Sequence, residues 1–232
     1  MSKPKVLMIW NDTIPHKGSE KAKFWEAVLL RDGFDVESVP STYPICDPAR
    51  LRTYSLIVMG WSEGIIIPEQ GGNLIRAVGF DGVGMAGYHE MATAFNDRGW
   101  HFLFGTYMVA HPGLVANGEK HDYIVHVTKP DDSIMRGITD FEVRATEQFY
   151  VLTDGDNFNE VLADTKMACS DYPWIVGSSS PVAFKRRFGA GRIFYQSVGH
   201  FAKDFQNENV FKIMHRGMLW AAKTLPEGLV IE

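Results

Sequence analysis

Residues 81–95, Asp-Gly-Val-Gly-Met-Ala-Gly-Tyr-His-Glu-Met-Ala-Thr-Ala-Phe, constrain the fold of this chain more than any other stretch. Glycines at Gly82, Gly84 and Gly87 define a short strand, Tyr88-His89-Glu90 marks a sharp turn, and a helix is expected to begin near Met91. A strand that turns abruptly into a helix is the geometry of a nucleophile elbow, which lifts one side chain to the carboxyl edge of a sheet. Here that side chain is His89. Acyl transfer would need Cys or Ser at the apex, because a thiolate or activated hydroxyl must attack the carbonyl and leave again. Histidine there argues against amide hydrolysis by a triad. The plainer alternative is that His89 only caps or packs against the helix behind it.

The flanking chain fits an α/β domain. Residues 6–10 form a continuous apolar run, as expected of a first strand buried on both faces. Ser19 is placed to cap a helix running to about Asp32, with Trp25, Val28 and Leu29 on one face and Gly33 ending it. Strands are expected at 34–39 and 55–59, with a Pro-rich loop between them, and a helix near 73–78. Further β segments are read at 105–111, 121–128, 141–150 and 160–165, extending the sheet or flanking it in antiparallel fashion. Residues 181–188 and 192–198 alternate around Gly189-Ala190-Gly191, the pattern of a hairpin. A final helix spans about 204–223, with Gly217 a weak point costing about 1 kcal/mol relative to Ala. The positive run Lys185-Arg186-Arg187 reads as a solvated face. The order predicts a mostly parallel α/β sheet with right-handed crossovers and a C-terminal β-hairpin, in a single domain over 1–232.

Composition excludes several function classes. With 232 residues, 45% hydrophobic and 22% charged, the chain can bury one sizeable core. A net charge of -5 offers no basic surplus for phosphates, so nucleic acid is not an expected partner. The two cysteines, Cys46 and Cys169, form no Cys-x-x-Cys pair, which fits a reducing, cytoplasmic setting. No apolar run approaches membrane-spanning length and the N-terminus carries no signal h-region, so no membrane is expected. A nucleotide cofactor is not expected either, since Gly82, Gly84 and Gly87 lie within a later strand and not at the turn after the first.

In an open α/β sheet, ligands bind beyond the carboxyl ends of the strands. Those ends would present Trp10, Asn11, Asp12 and His16 after the first strand, Trp61 and Glu63 after the third, His89 and Glu90 at the elbow, and His200 after the last. Histidines 101, 121, 126 and 215, taken singly, read as structural. Three histidines at one sheet edge, with Glu90 or Glu147 as a carboxylate, supply groups for proton transfer or for a divalent metal. No His-x-x-x-His or His-Glu-x-x-His occurs, so the metal is left open. Six tryptophans and 12% aromatic residues suit ligands with flat apolar faces such as sugars, and Trp10 and Trp61 lie nearest the strand ends. Core packing is the reading for Trp25 and Trp220.

The closing segment Pro181-Val182-Ala183-Phe184, Gly189-Ala190-Gly191-Arg192-Ile193-Phe194-Tyr195 and Gly199-His200 resembles that of the trehalose-utilisation (ThuA-like) family. Gly87-Tyr88-His89, His111-Pro112 and Gly137-Ile138-Thr139-Asp140-Phe141 support the resemblance. The family has an Asp-Glu pair before a Tyr, whereas Thr146-Glu147-Gln148-Phe149-Tyr150 keeps one acid; a His-Pro-aliphatic element is replaced by Asp132-Ser133-Ile134. The resemblance implies a mostly parallel, flavodoxin or class I glutamine amidotransferase-like three-layer α/β sandwich, with His for the catalytic Cys, and a carbohydrate-related role on trehalose or keto-sugar derivatives.

The leading expectation is a sugar isomerase, lyase or hydrolase in which His89 and His200 act as acid and base and Glu147 or Glu90 orients or shares the proton. Asn11, Asp12, His16, Trp10, Trp61, Glu63 and His111 are expected to bind substrate. The rival expectation is a non-catalytic sugar-binding or regulatory module on the same fold. A Cys-dependent amidotransferase is not expected. A small sugar ligand is the expected partner, and a homo-oligomer is left open.

Overall fold

The computed structural model describes residues 2–110, 120–153, 158–168 and 172–231. Strand β1 (Lys5–Trp10) carries the fully buried Val6, Leu7 and Ile9, and α1 (Gly18–Arg31) follows it. Helix α1 turns Ala22, Trp25, Val28 and Leu29 inward at helical spacing. Its first turn is held by Asp12, whose Oδ1 accepts from the Ser19 N–H at 2.8 Å, so the cap is Asp12 and not Ser19. Strand β2 (Asp35–Val39) is followed by a 3-10 turn (Tyr43–Cys46) and a short helix α2 (Pro48–Leu51), where a plain loop was expected. Next come β3 (Leu56–Gly60), α3 (Pro68–Gly79) and β4 (Gly84–Tyr88).

Behind β4 the chain enters a 3-10 turn (His89–Thr93) and not the expected α-helix. A seven-residue helix α4 (Arg98–Phe104) then appears, which the sequence reading missed; Asp97 caps it and Gly105 closes it at φ 78. Strands β5 (Thr106–Ala110), β6 (Lys120–Val127), β7 (Phe141–Glu147), β8 (Tyr150–Thr153), β9 (Asn159–Lys166), β10 (Ser179–Phe188) and β11 (Gly191–Gln196) follow. The segment read as one strand over 141–150 is two, because Gln148 leaves the ladder: its buried amide donates to Thr165 Oγ1 at 3.0 Å and to the Lys166 carbonyl at 2.9 Å. After a 3-10 turn (Ala202–Gln206), Asn207 caps the last helix, α5 (Glu208–Ala221).

One nine-stranded sheet has the order β2-β1-β3-β4-β11-β10-β9-β6-β7, and β5 pairs with β8 in a separate ribbon. Strands β2, β1, β3, β4 and β11 run parallel, in register such as Ile57 opposite Met85 and Ala86 opposite Phe194. From β11 through β10, β9, β6 and β7 the pairs are antiparallel. One apolar core lies between the sheet and α1 and α5, the other against α3 and α4, which makes three layers. Close packing explains the glycines. A Cβ at Gly217 would lie 2.1 Å from the Phe194 ring, so this glycine lets α5 sit on β11 and is not merely a weak point. In β4, a Cβ at Gly84 would meet the Ala221 carbonyl at 2.1 Å.

The positive run is not a solvated face. Arg186 is 6% exposed and lies over the rings of Phe158 and Phe188, and Lys185 pairs with Asp132; Arg187 alone of the three is exposed. Among the described residues no helix is long and apolar enough to cross a membrane.

Candidate functional site

The parallel strands β1, β3, β4 and β11 end together, and their carboxyl ends carry the polar residues. At the elbow His89 takes φ 28, a left-handed conformation that costs a non-glycine residue of order 1–3 kcal/mol. Its neighbours hold it there. Tyr195 Oη donates to the His89 carbonyl at 3.0 Å, Phe149 stacks on its imidazole at 4.2 Å between centroids, and Nδ1 lies 3.0 Å from the Ser197 carbonyl oxygen. A carbonyl oxygen only accepts, so His89 carries its hydrogen on Nδ1 and turns the Nε2 lone pair inward.

Three elements deliver three groups to that lone pair. His200, just beyond β11, places Nδ1 at 2.9 Å from His89 Nε2. Glu147, the last residue of β7, brings Oε2 to 3.3 Å from His89 Nε2 and 3.1 Å from His200 Nδ1. His16, in the loop between β1 and α1, sets its ring 5.4 Å from that of His89 and 5.0 Å from that of His200, with Nδ1 3.0 Å from Thr13 Oγ1. His89 and His200 are fully buried, Glu147 nearly so, and His16 is the partly exposed member. The Nε2 atom of His200 is buried and has no hydrogen-bond partner among the described residues. One donor atom from each of the four residues lies within 4.8 Å of the others, which makes the four a candidate ligand set for one ion.

Charge follows from burial. Desolvation lowers His89 to about 4, with His200 and Lys21 adding to the effect and Glu147 opposing it. Desolvation lowers His16 to about 3, and His89, Lys21 and His200 push the same way. Burial alone would raise the Glu147 carboxyl, yet the adjoining His200 and His89 imidazoles hold it well below the usual carboxylate range. At neutral pH the cluster therefore sets neutral His16 and His89 beside a carboxylate.

Glu90, the residue after His89, points elsewhere. It meets Lys21 of α1, whose Nζ donates to Glu90 Oε2 at 2.7 Å, to the His200 carbonyl at 2.9 Å and to the Gly199 carbonyl at 3.2 Å. Burial drives Glu90 up to about 7 and Lys21 down, and each is opposed by the charge of the other. With three acceptors for three N–H groups, the ammonium form is the one this site satisfies. Glu90 therefore pairs with Lys21 behind the elbow, whereas Glu147 is the carboxylate that meets the histidines. Lys21 went unnoticed in the sequence. The available signal was a lysine four residues before Trp25, on the inward stripe of α1.

The other expected substrate residues serve varied ends. Asn11 exchanges two hydrogen bonds with the Ser62 backbone, at 2.8 and 2.9 Å, tying the loops after β1 and β3 together. Asp12 is spent on the α1 cap. Trp10 donates to Ser38 Oγ at 3.0 Å, and a Cβ at Gly64 would meet Trp61 Nε1 at 2.1 Å, so Trp61 covers its own loop. Glu63 is exposed at φ 54. His111 lies outside the described residues. His101, His126 and His215 have structural partners in the Thr106 carbonyl, Asp140 and Asp32. Cys46 is exposed, with Sγ 3.2 Å from Gln70 Nε2. A cavity of about 850 Å³ on the α3–α4 side, lined by Phe80, Phe102, Tyr107, Leu152, Phe158 and Phe188, shares no residue with the histidine cluster.

A family model described as ThuA, trehalose utilisation, matches residues 5–221. A protein described as ThuA-like from Bacteroides uniformis is 17% identical at a TM-score of 0.73, covering 96% of this chain and 95% of its own. Another from Parabacteroides merdae is 17% identical at 0.72, covering 99% and 93%. A β-galactosidase of Bacillus circulans is 14% identical at 0.60, over 94% of this chain but 31% of its own. At these identities the structural likeness concerns the fold. No curated protein matches.

Proposed function

The chain belongs to the trehalose-utilisation (ThuA) family, and from that premise we propose that it is an enzyme that moves protons on trehalose or a keto-sugar derived from it, using His89, His200 and Glu147. The observation that carries this reading is the contact triangle of His89 Nε2, His200 Nδ1 and Glu147 Oε2, with sides of 2.9, 3.1 and 3.3 Å. With His89 neutral and its hydrogen on Nδ1, a proton in this triangle resides on His200 Nδ1, from which His89 and Glu147 are both within reach. Isomerisation or elimination beside a carbonyl needs such positioned carriers and no covalent nucleophile.

Each residue has a separate task. The Nε2 lone pair of His200 meets the substrate and takes a proton from carbon next to the carbonyl while the Nδ1 proton of His200 passes to the Glu147 carboxylate, the anionic base; the reverse transfer lets His200 return the proton to oxygen or to the neighbouring carbon. His89, locked by Ser197 and Phe149, holds His200 in line, its Nε2 lone pair 2.9 Å from His200 Nδ1. The sugar enters past His16, the member of the cluster open to solvent.

The test is product analysis and calorimetry on a panel of disaccharides and their keto derivatives. His89→Ala should lower turnover by about 10² to 10⁴-fold while sugar affinity changes little. Full activity in His89→Ala would sink its assignment, and a parent that binds sugars yet converts none would mark a binding module.

A further inference from the structure

We infer that His16, His89, His200 and Glu147 together form a binding site for one first-row transition-metal ion of the zinc class. This goes beyond the sugar reading, since metal binding is measured with no sugar present.

The argument starts from lone pairs. In the triangle of His89 Nε2, His200 Nδ1 and Glu147 Oε2, the first and last are acceptors facing each other at 3.3 Å, in a buried setting where two unshared lone pairs repel. A proton on His200 can lie along one side of the triangle and leaves that repulsion in place. A cation at the centre removes it. Bonds of about 2.0–2.1 Å to a tetrahedral zinc put neighbouring ligand atoms about 3.3 Å apart, close to the spacing of this triangle. His16 completes a four-ligand set.

Neighbouring contacts have the pattern that metal-ligating histidines require. The Ser197 carbonyl at His89 Nδ1 and the Thr13 hydroxyl at His16 Nδ1 each engage the ring nitrogen away from the cluster, orienting Nε2 toward it. His200 would bind through Nδ1 in place of the proton it carries there without metal, and would then carry its hydrogen on Nε2, facing a substrate oxygen. Three imidazoles and one carboxylate select a borderline transition ion over magnesium or calcium, which take oxygen ligands. Lys21, whose charge is felt at the histidines, is paired with Glu90 and so opposes a bound cation only in part.

The experiment is zinc titration of the chelator-dialysed full chain by calorimetry, with metal analysis and a cobalt-substituted visible spectrum. The expected result is one zinc per chain, no comparable binding of magnesium or calcium, and a tetrahedral-type cobalt band. His16→Ala and Glu147→Gln should each weaken zinc by about 100-fold or more, and Thr13→Ala by about 10-fold. Surface His126→Ala should leave affinity unchanged. His16 and Thr13 lie in a partly exposed loop, so those variants keep the test sound if a buried variant fails to fold. Binding of well under one zinc per chain, preference for magnesium or calcium, or zinc affinity untouched in both His16→Ala and Thr13→Ala would overturn the site.

Discussion

Consecutive residues at the β4 elbow enter two buried polar environments that differ in one respect. Glu90 meets an ammonium whose three N–H groups all have acceptors, at 2.7, 2.9 and 3.2 Å. His89 meets a triangle in which two acceptors face each other and the His200 Nε2 atom has no partner among the described residues. The ammonium has no donor left to offer a ligand, and Glu90 Oε1, which makes no hydrogen bond of its own, lies against that ammonium at 2.6 Å, so this charge-paired network serves to fix backbone, here by tying α1 to the elbow and to the Gly199–His200 turn. An unsaturated one retains the directed lone pairs and mobile proton that chemistry uses, at a cost that the saturated pair beside it helps the fold to tolerate.

The largest stability effect expected from breaking this comparison is at Lys21. Lys21→Met leaves the Glu90 carboxylate buried and unpaired, which should cost about 3–5 kcal/mol in denaturant unfolding. The double variant Lys21→Met/Glu90→Leu removes both charges and should regain most of that loss. A single variant as stable as the parent would show that the pair holds nothing.

A smaller effect separates the clusters by pH. Unfolded imidazoles take up protons below about 6.5, whereas burial keeps His89 neutral until about 4. The unfolded state therefore binds more protons in this window, and stability falls as pH is lowered through it, by up to about 1.4 kcal/mol per pH unit for each such group. His89→Ala should flatten the slope of stability between pH 6.5 and 4 by about one proton relative to the parent. Equal slopes would mean that His89 titrates normally.

Much of the parallel half was legible in the sequence, because β1 and β3 are continuous apolar runs and β4 and β11 are largely apolar runs marked by glycine, all readable with no knowledge of their partners. His89 and His200 were legible for the same reason, each directly following such a run. Glu147 was read only as one of two candidate carboxylates, with Glu90, since it arrives on β7, several strands away in sheet order. The Lys21–Glu90 pair spans 69 positions and the approach of β7 depends on antiparallel pairing, so neither leaves a local pattern. Helix α4 is too short for a periodic window, and Arg186 belied its charge by stacking on Phe158 and Phe188.

The central claim is that the unsaturated cluster, and not the saturated pair, does the chemistry. Its most direct test is the turnover number of Glu147→Gln on the sugar that the parent converts, measured where the variant is fully folded. This substitution keeps the size of the side chain and removes the charge that His89 and His200 share. The account predicts a fall in kcat of about 10² to 10⁴-fold with KM little changed. A kcat within a few fold of the parent would contradict it.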